Sequence, residues 1–150
     1  MFGWFKKKQQ PFSQLEARCH DILARAAALL EMQLMLCKAD KDKYQDFLHT
    51  KFVRGYFVGF FDSALQQANI PVGDDEHFIL LISAAHTYLF HGNTAQAMKY
   101  AVESLTLQND EEFAKAQAQG GGEYFDFLHE KIRSPFGLSY KFHSIGSTNT

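Results

Sequence analysis

The sequence has few cysteines, two among 150 residues, and this bounds how the fold can be stabilised. Cys19 and Cys37 fall within one predicted helix, where a rise of 1.5 Å per residue separates them by about 27 Å. A disulfide requires Cα atoms within about 7 Å of each other. An intrachain bridge is therefore excluded, and two reduced thiols are typical of a protein from the cytoplasm.

Several functional signatures are also missing. No apolar run approaches the roughly 18 residues of a membrane-spanning helix, and lysines follow the apolar start, unlike in a secretory signal. The net charge is −2, and the only dense basic run is Lys6, Lys7 and Lys8, so no basic face indicates nucleic-acid binding. We find no G-x-S-x-G elbow, P-loop, H-E-x-x-H or dinucleotide motif. The sequence predicts a cytoplasmic protein with no cofactor and favours a binding protein over an enzyme.

Aromatic residues, by contrast, are abundant: they make up 15% of the chain, and 15 residues are Phe. Apolar residues recur at helical spacing, and no stretch alternates as a strand would. We therefore predict an all-α protein, a compact bundle of about five to six helices with antiparallel hairpins around a Phe-rich central helix. A flexible aromatic and basic arm is predicted at 1–12, a single helical domain at 13–143 and a loose polar tail at 144–150.

Capping residues and glycines predict where the helices begin and end. Ser13 and Glu16 form a capping box at the first start. Three consecutive glycines at 120–122 predict a break, because glycine disfavours helix. The predicted helices are 13–39, 42–68, 74–91, 94–107, 110–119 and 123–133.

The second half of the predicted helix 42–68 is apolar nearly all round, which is typical of a helix packed on several sides. Gly55 and Gly59 lie four residues apart on one of its faces. Each glycine costs about 1 kcal/mol relative to alanine in a helix interior. We therefore expect the backbone of another helix, or alternatively a ligand, to approach this face closely.

Residues 81–109 carry a family resemblance. Leu81, the pair 84–85, Tyr88, Gly92 and Ala97 follow the spacing of a helix, a turn and a second helix. The pattern resembles a single tetratricopeptide unit, with Leu in place of the usual Trp and Ala in place of the usual Gly. No second copy follows at the family's period of about 34 residues. The resemblance implies a protein that binds other proteins through a helical groove.

From these features we predict a non-catalytic helical binding or adaptor module that engages a partner protein or peptide. A homo-oligomer is left open. The partner would occupy an aromatic groove in which two glycines allow close approach. The predicted groove residues are Gly55, Tyr56, Phe57, Gly59, Phe60, Tyr88 and Tyr100.

An internal repeat supports an alternative function. Tyr, Asp, Phe, Leu, His and Lys recur in register at 44–52 and 124–132, which places Asp46 and His49 in one copy and Asp126 and His129 in the other. Asp and His three apart share a helix face. Two such faces brought together would offer ligands for Zn, Fe or Mn, in an enzyme or a sensor. The plainer interpretation is the solvated side of two amphipathic helices.

The first residues suggest a third, weaker contact. Aromatic residues stand beside lysines there, a combination suited to an anionic membrane surface. Stable anchoring usually needs two such signals, so only weak association is predicted. The residues concerned are Phe2, Trp4, Phe5, Lys6, Lys7 and Lys8.

Overall fold

A computed structural model describes the backbone of residues 2–147 and the side chains of residues 16–145. These residues form seven helices and no strand, so the all-α class is confirmed, with more helices than the predicted five to six. Within this part of the chain no helix is long and apolar enough to cross a membrane. The helices are α1 (Phe2–Met35), α2 (Lys41–Leu48), α3 (Lys51–Gln67), α4 (Asp75–Leu89), α5 (Thr94–Leu105), α6 (Glu111–Leu128) and α7 (Gly137–Ser147).

The backbone of α1 begins at Phe2 and continues through Ser13, so the capping box does not start the helix as predicted. The side chains of 1–15 lie outside the described residues. The membrane contact predicted for them therefore stays a prediction. At the other end, α7 extends to Ser147 into the predicted tail, and residues 148–150 lie outside the described part.

Short polar side chains begin five of the helices. Each accepts a hydrogen bond from the backbone N–H three residues further on, which satisfies one of the free donors of the first turn. Asp74 caps α4 and Asp110 caps α6, and α5 opens at Thr94 as predicted. The five N-caps are Asp40, Thr50, Asp74, Asn93 and Asp110.

The prediction of one helix over 42–68 is wrong. The chain breaks after Leu48, and Thr50 starts α3. The Thr50 hydroxyl donates to the Phe47 carbonyl at 2.7 Å and accepts from the Val53 N–H at 3.3 Å. One side chain thus satisfies a free acceptor of α2 and a free donor of α3, which makes the break favourable without glycine or proline.

The predicted break at 120–122 is also wrong, because α6 passes through all three glycines. Two of them lie against α3: a Cβ on Gly120 would overlap the carbonyl oxygen of Tyr56, and a Cβ on Gly121 would lie 3.2 Å from that of Gly59. From the other side, Gly55 and Gly59 meet the backbone of α6 at 113–117. The expected close approach of a second helix backbone at Gly55 and Gly59 is confirmed.

The core is built around α3, whose residues 53–61 are all buried. Four of its aromatic side chains are at most 1% exposed. Fully buried residues from neighbouring helices close around them, including Leu30 from α1, Ile82 from α4, Phe113 from α6 and Leu138 from α7. The aromatic residues of α3 concerned are Tyr56, Phe57, Phe60 and Phe61.

Helices α4 and α5 form a hairpin over the segment that resembles a tetratricopeptide unit. His91 and Gly92 both have positive φ in the connecting turn. Ala85, Ala97 and Ala101 are fully buried, so small side chains bring the two helices together. The hairpin is thus present, although tight packing of any two helices would require the same small residues.

Candidate functional site

The predicted aromatic groove is not on the surface. Tyr56, Phe57 and Phe60 are 0–1% exposed, Gly55 and Gly59 are buried against α6, and Tyr100 is 3% exposed. Only Tyr88, at 37%, is accessible to a partner. The reason is that α3 is apolar on all sides, so its aromatic side chains fill the core instead of lining a groove.

Tyr56 belongs to a polar network inside the fold. Its hydroxyl donates to the Glu123 carboxylate at 2.8 Å and accepts from the Gln33 amide at 3.0 Å. The side-chain oxygen of Gln33 accepts from the Leu138 N–H at 2.9 Å, and Glu123 accepts from the Gly137 N–H at 2.9 Å. Burial, followed by the nearby Glu123 charge, raises the pKa of Tyr56. The network holds the start of α7 against α1, α3 and α6.

Tyr100 is similarly engaged, beneath the buried Arg54. The guanidinium lies 4.1 Å from the ring centroid of Tyr100 and donates to the Tyr100 carbonyl at 3.0 Å and to Ser104 Oγ at 2.9 Å. It also forms an ion pair with Glu103 at 3.3 Å. Burial raises the pKa of Tyr100. These contacts fasten α3 to α5.

The two Asp-x-x-His copies lie at the last turns of α2 and α6. Nδ1 of His49 is 3.1 Å from Nη2 of Arg54, and Nε2 of His129 is 3.3 Å from the side-chain oxygen of Gln67. Among the described residues, no group of three or more His, Cys, Asp or Glu is placed to hold a metal, so Asp46 and Asp126 do not join them in one cluster. A Zn, Fe or Mn site stays a prediction.

A cleft that sequence reasoning missed lies between α1 and α4, and we call it the α1–α4 cleft. Its volume is about 490 Å³, within the range of about 300–1,000 Å³ of natural binding pockets. Leu80 is 60% exposed there, a large apolar side chain left in contact with water. The apolar lining consists of Cys19, Leu23, Ile70, Pro71, Leu80, Leu81 and Ala84.

The polar edge of the α1–α4 cleft carries Glu16, His20 and His77. Nδ1 of His20 lies 2.9 Å from the hydroxyl of Tyr88, which connects α1 to α4 beside the cleft. Arg18 donates to the carbonyl of Ala68. One sequence signal marks this place: the five consecutive apolar residues at 78–82 are more than one helix face can bury.

Cys19 lies in the wall of the α1–α4 cleft and Cys37 in the core, and both are free thiols, as the sequence predicts. Burial raises the pKa of Cys19, although neighbouring Arg18 lowers it in part, and burial raises the pKa of Cys37 to about 11. Both thiols are therefore protonated at neutral pH and are weak nucleophiles.

His86 is a fully buried histidine in the core. Its Nδ1 is 2.7 Å from the carbonyl oxygen of Ile82, and its ring lies within 6 Å of the rings of Phe57, Phe61 and Tyr100. Nε2 of His86 and Oγ of the adjacent Ser83 have no hydrogen-bond partner. Burial lowers the pKa of His86 from 6.5 to about 4, so the ring is neutral at pH 7.

No protein family, curated protein or solved structure matches this chain. The geometry of the α1–α4 cleft is therefore the evidence about function.

Proposed function

We propose that this chain is a non-catalytic helical binding module of the cytoplasm, and that an apolar segment of a partner protein binds in the α1–α4 cleft. The observation that carries the proposal is the cleft itself, an apolar concavity of about 490 Å³ with Leu80 60% exposed. Apolar side chains of a partner would remove this surface from water, which is the main favourable term in protein association. Partner binding is thus proposed again, with its site in the α1–α4 cleft instead of the groove predicted from α3, Tyr88 and Tyr100.

The residues around the cleft suit a protein segment. Tyr88 is 37% exposed on α4, the helix that carries Leu80. Tyr is enriched at protein interfaces, where an apolar ring and a polar hydroxyl can both be used. The polar pair of His20 and Tyr88 at the edge offers hydrogen-bonding groups that would orient a partner next to an apolar floor.

The chemistry of the cleft favours binding over catalysis. Burial raises the pKa of Cys19, so its thiol is not an activated nucleophile. His20 is engaged by Tyr88, which leaves no paired nucleophile and base among the polar residues of the cleft. An apolar pocket without such a pair can bind a partner but has no evident way to transfer a proton or an acyl group.

The test is affinity capture from the native host with matched variants. Leu80→Lys places a charge in the cleft, whereas Met98→Lys changes a side chain of similar character, 45% exposed on α5. Both variants should fold, since each side chain is exposed. We expect the same partner with the wild type and Met98→Lys, and at least tenfold less with Leu80→Lys. Equal capture by all three proteins would contradict the proposal.

A further inference from the structure

We infer that the segment bound in the α1–α4 cleft is the aromatic and basic segment 2–8 of a second copy of this chain. The inference rests on the proposed function of the cleft and names its partner. Three observations lead to it: the charge around the cleft, the composition of segment 2–8, and the course of the α1 backbone.

The polar edge of the cleft carries one carboxylate and two imidazoles. Glu16, His20 and His77 line it, and Glu76 is exposed immediately before His77. Arg18 follows Glu16 on α1, and its guanidinium donates to the carbonyl of Ala68. An apolar floor with a carboxylate at its edge favours an apolar segment flanked by positive charge.

Segment 2–8 has this composition. Phe2, Trp4 and Phe5 are followed at once by Lys6, Lys7 and Lys8, the only dense basic run of the sequence. Aromatic side chains bury about 150–250 Å² each, so one or two of them could provide most of the contact area of the cleft. The lysines that follow would then lie near Glu16 at the edge.

The path of α1 prevents a chain from filling its own cleft. The backbone is helical without a break from Phe2 to Met35, and residues 16–23 of the same helix form one wall of the cleft. At 1.5 Å per residue, the backbone at Trp4 lies about 24 Å along the helix axis from His20. A helix cannot fold back on itself, so segment 2–8 can reach this cleft only in another molecule.

Two copies of the chain would exchange segment 2–8 reciprocally, each inserting its segment into the cleft of the other. Each chain provides one segment 2–8 and one cleft, so a two-fold symmetric dimer uses both segments and both clefts and leaves none free. A dimer of this kind is closed and does not grow into a filament. The inference thus specifies the dimer as well as the surface.

Sedimentation of the full chain tests the dimer. We expect the wild type and Met98→Lys to have the mass of two chains. The double variant Trp4→Glu, Phe5→Glu should have the mass of a single chain. The variant Leu80→Lys should also have the mass of a single chain. An equimolar mixture of these two defective proteins should recover a heterodimer, because one intact segment then meets one intact cleft. Circular dichroism of each variant checks that it is folded.

Cross-linking tests the contact directly, because Cys19 lies in the wall of the cleft. We expect Phe5→Cys to give a disulfide-linked dimer on mild oxidation, and the link to be lost when Cys19→Ser is added. Met98→Cys, at an exposed position of α5, is the matched control and should form no disulfide-linked dimer. Cys37 is fully buried and can stay in place in all variants.

Two results would overturn the inference. One is a wild type with the mass of a single chain at about 100 μM. The other is a dimer unaffected by the changes at Trp4 and Phe5. If that single chain also sedimented with anionic vesicles through segment 2–8, the segment would bind membranes. If Leu80→Lys still abolished capture of a different protein, the proposed function would stand and only the choice of partner would be wrong.

Discussion

Gly59 of α3 lies against the main chain of Gln117 in α6, so closely that a Cβ on Gly59 would overlap the Gln117 carbonyl group. Gly55 is similarly close to the carbonyl of Phe113, with Ala116 beside it. In this region the two helices meet backbone to backbone, without the layer of side chains that usually separates packed helices. A steric conflict at Gly59 therefore cannot be relieved by rotating a side chain.

Alanine at Gly59 should accordingly be strongly destabilising. We expect Gly59→Ala to lower the free energy of unfolding by about 3 kcal/mol or more, because the helices would have to separate. Gly122 is the control: it lies in α6, with nothing within 4 Å of an added Cβ. Gly122→Ala should raise stability by up to about 1 kcal/mol. Urea unfolding of both variants measures these values, and equal effects would contradict the backbone contact.

Because of His86, the protein should become less stable as the pH is lowered. Its pKa is lowered to about 4 in the fold and returns to about 6.5 on unfolding. Between these values the unfolded chain binds more protons, so stability is complete above about pH 7 and decreases as the pH falls. We expect His86 to account for a loss of about 2 kcal/mol between about pH 7.5 and pH 5.

Urea unfolding at the two pH values measures this contribution as the difference between wild type and His86→Leu. The variant removes the titrating group and should flatten the pH dependence. His91→Gln changes an exposed histidine and should leave the dependence as in the wild type. A slope that is the same in all three proteins would show that His86 is not responsible.

The attachment of α7 should depend on Glu123. One oxygen of its carboxylate accepts hydrogen bonds from the Tyr56 hydroxyl and from the N–H groups of Phe136 and Gly137. Glu123→Ala leaves these donors without their charged acceptor. We expect a loss of stability of about 3 kcal/mol and faster amide exchange in α7 than in α5.

Hydrogen exchange followed by mass spectrometry separates α7 from the rest of the fold. Glu112→Ala replaces an exposed side chain of α6, the helix that contains Glu123, and should alter the free energy of unfolding by no more than about 0.5 kcal/mol. If Glu123→Ala accelerated exchange equally in α5 and α7, the carboxylate would stabilise the whole domain and not the attachment of α7.

Metal analysis tests the alternative function. Because a guanidinium lies at Nδ1 of His49, we expect purified protein without a His tag to contain no stoichiometric Zn, Fe or Mn. Elemental analysis measures the content directly. About one or two equivalents of metal that were lost in His49→Ala and retained in His91→Ala would establish the alternative instead.

The helical class and several helix ends follow from local chemistry, which the sequence expresses directly. Asp74 and Asp110 are short acceptors placed before apolar helical segments, and both act as caps. Thr50 cannot be recognised as a cap from the sequence, because a capping threonine and a helical threonine look alike within an apolar segment. Its role depends on the Phe47 carbonyl and the Val53 N–H together.

The long-range features could not be predicted from the sequence. Glycines at 120–122 disfavour a helix taken alone, but against α3 they allow the contact that stabilises it. The sequence pattern of the aromatic residues of α3 fits a surface groove and a buried core equally well, and only the surrounding helices decide between the two. The α1–α4 cleft combines residues from 16–23, 70–71 and 77–84, which only the tertiary structure brings together.

The backbone contact between α3 and α6 also restricts how the chain can change in length. One residue inserted between Phe113 and Gly121 would rotate the rest of α6 by about 100° and turn side chains towards α3 in place of the glycines. The turn at 90–93 between α4 and α5 is exposed for most of its length and has no comparable neighbour. Any sequence that shares this fold should therefore align without gaps over 113–121, whereas insertions should be found at the α4–α5 turn.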